Sequence, residues 1–499
     1  MQINEFINEL GKRNYEKSKK LELYDVRKKN IDDEDINKIS EKISEKIKEE
    51  NQNIILISGD GRINTPYIMN KLAKIFLQNK IKILDAGHNN LTQTIEYATR
   101  KYNTSAVTIT ASHQPSEYNG FKIAFQNKYS VLKNNKNLES LIQQSWKNVK
   151  KPDIYYVQSN LNKDYSEIIT EKFKHLKKGP KINFLYDAMQ GISFHYFKDI
   201  MSNLKLNSFD AVRQYPNAYF NMDYKNEGPD PLKKVNFELL KKNIDVNKLK
   251  NYDFIAIVDG DGDRFGLAVN NELIDSPIIT AVRAKYLLEK FKKNNTKRKE
   301  KPAFVAEYCL YAMINEYLKN EIDIFPVKRG RPSHIEKILE LKEDRAVLGG
   351  SEISLHNYNE EGIDDGIETT LLFYEIVQKE KKDGLMKRID EAKKGLKKSH
   401  EELRIKTEKE NKKIIQDIVE HYKSYEKYKD FNDAIFKINE TEFLVHASNN
   451  DPNEIAIISF GDNLKEILGN YEQLYETLNE IEKDLGNKLN NKVKNIKWN

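Results

Sequence analysis

The sequence predicts an α/β protein with three similar mixed α/β domains and a smaller α+β domain at the C-terminus. The chain has 499 residues, and at about 150 residues per domain this length favours roughly three domains, within a range of two to four. Short β-branched runs alternate with Lys/Glu-rich stretches of helical period, which indicates βαβ units. Nearer the C-terminus, short strands follow one another without that alternation. The predicted domain boundaries are 1–150, 151–275, 276–395 and 396–499.

Predicted strands and helices alternate through the first three domains. In the first domain they are strand Ile54–Ile57, helix Tyr67–Gln78, strand Ile81–Leu84, helix Leu91–Arg100 and strand Ala106–Thr110. Because such units bring successive strands side by side, they predict a mostly parallel sheet. In the second and third domains the predicted elements are strand Lys181–Tyr186, helix Ser193–Leu204, strand Phe254–Val258, strand Pro302–Ala306 and helix Tyr308–Lys319.

The C-terminal part of the chain has a different pattern. A Lys/Glu-rich stretch from Ile376 to Asp430 predicts helices with solvated faces, interrupted by a linker at Lys393–Lys398. After it, the predicted elements are the strands Ala434–Ile438, Glu442–His446 and Ile455–Phe460 and a helix Leu464–Leu485. This order predicts the smaller α+β domain.

Composition and charge narrow the class of protein. With 38% hydrophobic and 32% charged residues, the chain is typical of a globular protein and unlike collagen, mucins or disordered chains. The longest apolar run, Tyr308–Ile314, is far shorter than the 18 or so residues that a bilayer requires, and the N-terminus has no apolar signal region, so we expect a cytoplasmic protein without a membrane partner. The 83 basic and 77 acidic residues are mixed along the chain, which indicates no nucleic-acid partner. The single cysteine, Cys309, excludes a disulfide framework and a thiolate zinc cluster and is expected in the core.

An acidic loop follows the predicted strand Phe254–Val258. Asp259, Asp261 and Asp263 alternate with glycines, so the carboxylates lie on one side of a backbone that can turn tightly. Oxygen ligands of this kind suit Mg²⁺ or another hard cation. An EF-hand calcium loop would require glycine in place of Arg264. The alternative is an acidic surface turn that caps a helix, but three carboxylates this close repel one another unless a cation or an arginine offsets them.

A second polar loop displays a serine. The strand that ends at Thr110 leads into Ala111-Ser112-His113-Gln114-Pro115, and Lys122 follows on the next segment. Taken alone this pattern is weak, because Ser and Thr before Pro are typical of hydrogen-bonded turns and the nucleophile elbow Gly-x-Ser-x-Gly is absent.

Two further polar loops lie nearer the C-terminus. Glu352, Ser354 and His356 can bind sugar hydroxyls and move a proton near neutral pH, although a lone loop histidine is more often structural. Beyond His446, small polar residues at 448–450 can hold a phosphate, and an ordinary Asn-rich turn explains them equally well.

Together, in this order, the four loops resemble those of the α-D-phosphohexomutase family, the phosphoglucomutases and phosphomannomutases. Thr110–Pro115 is similar to the family's Thr-Ala-Ser-His-Asn-Pro phosphoserine loop, and Asp259–Arg264 looks identical to its metal loop. Tyr24–Arg27 resembles an N-terminal Tyr-Asp-Ile-Arg element, and Gly59–Arg62 resembles the next strand end. The resemblance covers nearly the whole chain. It implies that the domains surround a central cleft and contribute, in chain order, a phosphoserine, a metal, a sugar and a phosphate loop.

The resemblance also implies roles for individual residues. The catalytic residues would be Ser112, Arg27, Lys122, Arg264 and His356, with Ser112 as the phosphoryl carrier and His356 or Lys122 as the general acid or base. The ligands of Mg²⁺ would be Ser112, Asp259, Asp261 and Asp263. The substrate-binding residues would be Tyr24, His113, Arg331, Glu352, Ser354, His446, Ser448, Asn449 and Asn450.

The implied activity is phosphoryl transfer between hexose 6-phosphate and hexose 1-phosphate. It would run through a hexose 1,6-bisphosphate, which is also the expected activator, and would require a cation, positive side chains and fixed alignment. Mannose phosphates are the expected preferred pair, and glucose phosphates are a second pair. The expected partner is therefore a small sugar phosphate, and the expected assembly is a monomer or a weak homodimer.

The chain departs from the family pattern in its sugar and phosphate loops. In the sugar loop, Leu355 replaces the last glycine of Gly-Glu-x-Ser-Gly-His, which could shift His356. In the stretch Val327–His334, the histidine that the family usually carries corresponds to either Arg331 or His334. Two arginines of the phosphate loop are replaced by His446 and Ile455.

The lost arginines put the binding of the non-reacting phosphate in question, because arginine is the side chain that binds phosphate bidentately. Arg329 or Arg331 could compensate. Two rival functions remain: a sugar-phosphate-binding protein with impaired catalysis, and a Mg²⁺-dependent sugar phosphatase that uses Ser112.

Overall fold

Four sheets follow one another along the chain. A computed structural model describes residues 21–126, 153–206, 208–220, 228–294, 300–399, 403–422, 433–447 and 453–494. The first three sheets mix parallel and antiparallel strands with helices, and the fourth is antiparallel throughout. The predicted fold class, three mixed α/β domains and a C-terminal α+β domain, is thereby confirmed.

The first sheet has six strands in the order β1-β5-β4-β2-β3-β6. The strands are β1 (Leu21–Lys29), β2 (Ile54–Gly59), β3 (Lys82–Asp85), β4 (Ala106–Ile109), β5 (Tyr118–Gln126) and β6 (Ile154–Tyr156). The helices are α1 (Asp33–Glu49), α2 (Thr65–Gln78) and α3 (Thr92–Tyr102). The β2, β3, β4 and β6 strands pair in parallel, whereas β5 pairs antiparallel with both β1 and β4.

The second sheet has five strands in the order β11-β10-β9-β7-β8. The strands are β7 (Phe184–Asp187), β8 (Asp210–Val212), β9 (Phe254–Val258), β10 (Phe265–Val269) and β11 (Glu272–Leu273). The helices are α4 (Gln158–Lys172), α5 (Ser193–Asn203), α6 (Lys234–Asn243) and α7 (Val246–Lys250), with a 3-10 turn at Lys174–Lys178.

The third sheet has four strands in the order β13-β12-β14-β15. The strands are β12 (Ala303–Glu307), β13 (Asp323–Val327), β14 (Val347–Ser351) and β15 (Asn357–Tyr358). The helices are α8 (Ser276–Asn294), α9 (Tyr308–Leu318), α10 (Arg331–Lys342) and α11 (Gly366–Gly395).

The C-terminal sheet is built on β20. The strands are β16 (Lys398–Ser399), β17 (Leu403–Lys406), β18 (Asp433–Ile438), β19 (Thr441–Ala447) and β20 (Glu454–Gly461). Both β16 and β17 pair with one edge of β20, and β19 pairs with the other. The helices are α12 (Asn411–Tyr422), α13 (Leu464–Ile481) and α14 (Leu485–Val493).

Apolar patterning explains the central strands. Every residue of β2, β9 and β12 is buried, as expected for strands covered on both faces. Cys309 is buried in the core beside β12, where the sequence predicted it. None of the helices in the described part of the chain is long and apolar enough to span a bilayer.

Two helical predictions are wrong in part. The stretch from Ile376 to Asp430 contains β17, whose alternation of buried Leu403 and Ile405 with exposed Arg404 and Lys406 is typical of a half-buried strand. Residues 423–430 of this stretch lie outside the described residues. The helix predicted from Leu464 to Leu485 is two helices, separated at Asp484, whose φ of 62° does not continue an α-helix.

Candidate active site

Ser112 lies in a tight turn just beyond the end of β4. Its φ is 53°, in the left-handed region, and its N–H donates to Thr110 Oγ1 at 2.9 Å. Its side chain is completely buried. The Oγ atom lies 3.2 Å from Asp259 Oδ2 of the second domain and 3.3 Å from His113 Nδ1. The turn thus points the serine hydroxyl toward the acidic loop.

Arg62 holds the turn in this shape. Its guanidinium is 2% exposed and donates to the carbonyls of Ser112 at 2.6 Å, Gln114 at 2.7 Å and Pro115 at 2.6 Å. Its Nε donates to Asp60 Oδ2 at 3.0 Å. Arginine suits this position because its planar fork carries five N–H donors. Arg62 therefore positions Ser112 without contacting its hydroxyl.

The Arg62→Ala variant is expected to destabilise the first domain by about 3–5 kcal/mol, because it leaves Asp60 as an unpaired buried charge. Chemical denaturation followed by circular dichroism measures the loss. Arg404→Ala, which removes an exposed arginine that lies 3.1 Å from Glu454, is the matched control and should cost less than about 1 kcal/mol. Equal stability of the Arg62→Ala variant and the wild type would contradict the positioning role.

The acidic loop turns tightly against the serine turn. Gly262 has a φ of 88°, in the left-handed region. A Cβ atom on Gly260 would lie 2.7 Å from Pro229 Cγ and 3.3 Å from the Ser112 carbonyl oxygen, so glycine is required for this approach. Asp259 Oδ1 accepts from the N–H groups of Gly262 and Arg264, each at 3.1 Å. The loop thereby closes on itself and presents its carboxylates to Ser112.

The three carboxylates fit a hard divalent cation. Asp259, Asp261 and Asp263 are fully buried, and one oxygen of each lies within 4.8 Å of the other two. Oδ1 of Asp261 and Oδ1 of Asp263 are buried and accept no hydrogen bond from the residues that the structure describes. Burial and repulsion by Asp263 and Asp261 raise the pKa of Asp259 well above its usual range. A cation with oxygen ligands, such as Mg²⁺, would relieve this repulsion.

Lys122 partly offsets the negative charge. Its side chain is buried, and Nζ donates to Asp261 Oδ2 at 2.9 Å, to Asp263 Oδ2 and to Thr92 Oγ1 at 3.1 Å. Burial alone would lower the pKa of Lys122, but Asp261 and Asp263 outweigh it and raise that pKa above its usual value. Lys122 is therefore a fixed positive charge beside Asp261 and Asp263.

Two arginines flank His113. Arg27 is held bidentately by Asp25 at 2.9 and 2.8 Å, and its NH1 lies 3.4 Å from His113 Nδ1. Arg264 NH2 lies 3.5 Å from His113 Nε2. Burial and the charges of Arg264 and Arg27 lower the pKa of His113 well below its usual range, so His113 is neutral at pH 7.

His356 joins the sugar loop to the acidic loop. Arg264 Nε donates to His356 Nε2 at 3.2 Å, and His356 Nδ1 lies 2.8 Å from Asp364 Oδ2 and 3.5 Å from Asp263 Oδ1. Leu355, which replaces the family's glycine, has a φ of 70° and is 3% exposed. This left-handed conformation is the one that glycine favours, so the turn keeps its shape without the glycine. The conformation costs leucine roughly 1–2 kcal/mol.

The rest of the sugar loop lies beside His356. Glu352 N–H donates to the His356 carbonyl oxygen at 2.9 Å. Glu352 Oε2 accepts from the half-buried Ser354 Oγ at 3.2 Å, and Oε1 accepts from Tyr358 and lies 3.3 Å from the buried His334 Nδ1. The described residues thus bring a serine, a carboxylate cluster, cations and a sugar-loop carboxylate into one place.

Comparison with known families agrees with this geometry. The model named "Phosphoglucomutase/phosphomannomutase, alpha/beta/alpha domain I" matches residues 19–149, and the model of domain II matches residues 163–272. The chain belongs to the α-D-phosphohexomutase family. The two matched regions contain the serine turn and the acidic loop.

Individual phosphohexomutases are similar at low identity. A probable phosphomannomutase of Haemophilus influenzae is 28% identical over 229 residues, covering 43% of this chain and 45% of that protein. A phosphoglucosamine mutase of Dictyoglomus thermophilum is 24% identical over 463 residues, covering 87% and 89%. A phosphoglucomutase/phosphomannomutase family protein from Burkholderia thailandensis has the same fold, with a TM-score of 0.68 at 16% identity over 92% of this chain and 96% of that one. The matches to the first three curated relatives span only 45%, 54% and 52% of those proteins' lengths.

One residue predicted to bind substrate, Tyr24, lies in the hydrophobic core of the first domain. Tyr24 is 2% exposed and packs edge-on against Phe125 in the first core, with ring centroids 6.0 Å apart. Because side chains of β1 alternate, Tyr24 faces the core and its neighbours Asp25 and Arg27 face the other side. The side chain of Tyr24 therefore lies on the opposite face of β1 from Asp25 and Arg27, and its predicted substrate contact stays a prediction.

The predicted substrate residues of the third and fourth domains differ in their placement. Arg331 is 8% exposed, and its Nε donates to Asp364 Oδ1 at 3.0 Å while NH2 contacts Glu96. This buried pairing does not fit a direct substrate contact. His446 is 8% exposed at the end of β19 and contacts Arg329. Residues 448–450, predicted to bind phosphate, lie outside the described residues.

The sequence assigned no role to three residues that build this site. They are Arg62, Thr92 and Asp364. The resemblance of Gly59–Arg62 to a strand end of the family was the signal that could have pointed to Arg62. Nothing in the spacing links Thr92 to Asp261, to which it donates at 2.7 Å, because the two residues lie 169 positions apart.

Proposed function

We propose that this chain interconverts hexose 6-phosphates and hexose 1-phosphates through a phosphoserine at Ser112 and a hexose 1,6-bisphosphate. Mannose phosphates are the proposed preferred pair, with glucose phosphates as a second pair. One observation carries the proposal: the buried Ser112 Oγ lies 3.2 Å from Asp259 within the three-aspartate loop. Phosphoryl transfer requires alignment and positive charge rather than extensive covalent chemistry, and this site supplies both.

The proposed transfer starts with a phosphoryl group on Ser112. Its P–Oγ bond breaks as the free hydroxyl of the hexose phosphate forms a P–O bond, and the proton of that hydroxyl passes through a base to Ser112 Oγ. After the bisphosphate turns around in the site, the P–O bond to its other phosphoryl group breaks as Ser112 Oγ forms a new P–Oγ bond, and the serine proton passes to the released sugar oxygen. Arg27, Arg264 and Lys122 stabilise the negative charge that spreads over the phosphoryl oxygens.

Asp259, Asp261 and Asp263, together with Ser112, are the proposed holders of Mg²⁺. When bound, Mg²⁺ would neutralise charge on the phosphoryl oxygens. The proton transfer is assigned to His356, whose Nδ1 lies 2.8 Å from Asp364 Oδ2. Its Nε2 accepts a hydrogen bond from Arg264 Nε and would take up the proton once Arg264 turns to the phosphoryl group. Lys122 is the second candidate.

The sugar loop is the proposed site for hydroxyls common to both substrate orientations. An ionised Glu352 accepts hydrogen bonds, and the half-buried Ser354 can donate and accept them. The burial penalty on Glu352 is outweighed by His334 and His356, which lower the pKa of Glu352. Glu352 is thus ionised at neutral pH and can accept a hydrogen bond from a sugar hydroxyl.

Phosphorus NMR tests the proposal directly. The protein is incubated with Mg²⁺, a trace of glucose 1,6-bisphosphate and, in turn, mannose 1-phosphate, glucose 1-phosphate and glucosamine 1-phosphate. We expect mannose 1-phosphate to convert fastest to its 6-phosphate and glucose 1-phosphate to convert more slowly. Chelation of the metal should stop both conversions, and added Mg²⁺ should restore them, because buried carboxylates require the cation.

The same spectra separate the rival functions. A phosphatase would release inorganic phosphate without requiring the bisphosphate. A binding protein with impaired catalysis would leave every 1-phosphate signal unconverted. Fast conversion of glucosamine 1-phosphate alone would replace the proposed hexose, and no conversion of any substrate would overturn the mutase proposal.

A further inference from the structure

A completely buried histidine lies behind the sugar loop. His334 belongs to the first turn of α10. Its Nδ1 lies 3.3 Å from Glu352 Oε1 and 3.2 Å from the Gly330 carbonyl oxygen, and its Nε2 lies 3.2 Å from the Ser351 carbonyl oxygen. Because its side chain is buried, His334 can act on a bound sugar only through its neighbours.

The two ring nitrogens of His334 have different partners. Nδ1 faces two acceptors, the Glu352 carboxylate and the Gly330 carbonyl oxygen, and a ring nitrogen without a proton would itself be an acceptor. Nδ1 therefore carries a proton and donates toward Glu352. A hydrogen bond to a charged acceptor of this kind is stronger than one between neutral groups. Nε2 faces the carbonyl oxygen of Ser351, the last residue of β14, and thus links α10 to the third sheet.

Tyr358 holds the same carboxylate oxygen. Its hydroxyl donates to Glu352 Oε1, and its side chain is completely buried. Its ring also stacks on the imidazole of His334, with the ring centroids 4.9 Å apart and the planes inclined by 13°. Two buried and mutually stacked side chains thus donate to one oxygen of Glu352.

The other oxygen of Glu352 remains for a ligand. Oε2 accepts from the half-buried Ser354 Oγ at 3.2 Å. A carboxylate oxygen can accept two hydrogen bonds, so Oε2 has room for a second donor such as a sugar hydroxyl. Because His334 and Tyr358 already hold Oε1, the carboxylate is oriented before the sugar binds, which lowers the entropic cost of binding.

We infer that His334 is a positioning residue, which fixes Glu352 so that Oε2 faces the sugar, and thereby sets the affinity of the site for the hexose. This inference rests on the proposed function, because it requires Glu352 to accept a hydrogen bond from a sugar hydroxyl. Arg331, in the same turn of α10, does not share this role, since it contacts Asp364 and Glu96 instead. Loss of the contact between His334 and Glu352 would weaken the ground state and the transition state alike, which raises KM and leaves kcat nearly unchanged.

Two amide variants separate the two contacts of the ring. The side-chain amide of asparagine can place an N–H group where Nδ1 lies, and that of glutamine can place one where Nε2 lies. His334→Asn therefore keeps a donor for Glu352, whereas His334→Gln keeps the donor for Ser351. We expect His334→Gln to raise KM for mannose 1-phosphate roughly 10- to 100-fold, from the loss of a charge-assisted hydrogen bond. His334→Asn should recover most of that loss, and kcat should change little in either variant.

Initial rates followed by phosphorus NMR give KM and kcat, and isothermal titration calorimetry with mannose 6-phosphate gives the affinity without turnover. If His334 served only to link α10 to β14, His334→Asn would be the more impaired variant. Equal KM values and affinities for His334→Gln and the wild type would overturn the inference, as would equal losses in the two variants.

A variant on another element keeps the test valid if the histidine variants do not fold, which thermal unfolding checks. Tyr358→Phe removes the second donor to Glu352 Oε1 and keeps the ring that stacks on His334. We expect Tyr358→Phe to raise KM in the same direction as His334→Gln, with kcat nearly unchanged. A wild-type KM for Tyr358→Phe would show that the orientation of Glu352 does not set the affinity, and would overturn the inference.

The outcomes also distinguish this inference from the proposed function. Binding of mannose 6-phosphate that falls in His334→Gln but not in His334→Asn, without conversion by the wild type, would support the inference and overturn the mutase. Conversion by the wild type with an unchanged KM in His334→Gln would do the reverse. No binding of mannose 6-phosphate or glucose 6-phosphate by the wild type would overturn the inference.

Discussion

The Ser112→Ala variant is expected to lose hexose phosphate turnover by at least about 10⁴-fold, because it removes the proposed covalent carrier while leaving the rest of the site intact. Alanine fills nearly the same space and accepts the same turn, so the fold should persist. Phosphorus NMR measures the turnover. Mass spectrometry after incubation with a hexose 1,6-bisphosphate should detect one added phosphoryl group on the wild type and none on the variant.

The control makes the same chemical change at another buried serine of the first domain. Ser40 Oγ donates to the Ile36 carbonyl oxygen at 2.5 Å within α1, so Ser40→Ala removes a hydroxyl remote from the site. We expect this variant to retain wild-type turnover and the added phosphoryl group. Turnover by Ser112→Ala at the rate of Ser40→Ala would rule out the phosphoserine mechanism.

The metal and serine loops were predictable because their information is local. Asp259, Asp261 and Asp263 follow directly after an apolar strand, and Ser112 follows another, so a short window of sequence contains both the strand end and the polar residues. Each loop could thus be found from the sequence, and the resemblance supplied their combination.

Partners from distant segments were not predictable. Thr92 and Asp261 meet only because the N-terminus of α3 packs against the acidic loop, where Thr92 N–H donates to the Asp261 carbonyl oxygen at 3.2 Å. Arg331 was a reasonable substrate ligand in the sequence, but Glu96 and Asp364, from two other segments, bury it. Such pairings depend on the packing of domains, which no local pattern encodes.

Antiparallel edges of the sheets were missed for a related reason. The first strand, β1, carries Asp25, Arg27, Lys28 and Lys29 among its apolar residues, so its composition resembles that of a polar connection. Its alternation of apolar and polar residues marks a strand only once β5 pairs with it and one of its faces is covered. The same alternation turns Tyr24 toward the core.

The Lys122→Met variant is expected to lose about 10²- to 10³-fold in turnover, the usual consequence of removing one group that stabilises developing charge. It also leaves Asp261 and Asp263 without their buried cationic partner, which destabilises a fold by about 3–5 kcal/mol. A bound cation would neutralise part of the negative charge of Asp261 and Asp263. The destabilisation, measured by denaturant unfolding, should therefore be larger after chelation than with saturating Mg²⁺.

Lys172→Met is the matched control because Lys172 also pairs with two carboxylates, at 2.9 Å from Glu360 and 2.6 Å from Glu368, but its side chain is 32% exposed. Solvent reaches Glu360, and both carboxylates lie outside the site, so this variant should keep its turnover and show no dependence of stability on Mg²⁺ beyond that of the wild type. If Lys122→Met instead turns over as fast as Lys172→Met, the charge at Lys122 does not act on the transferred phosphoryl group. If both variants respond to Mg²⁺ alike, the cation does not bind at Asp261 and Asp263.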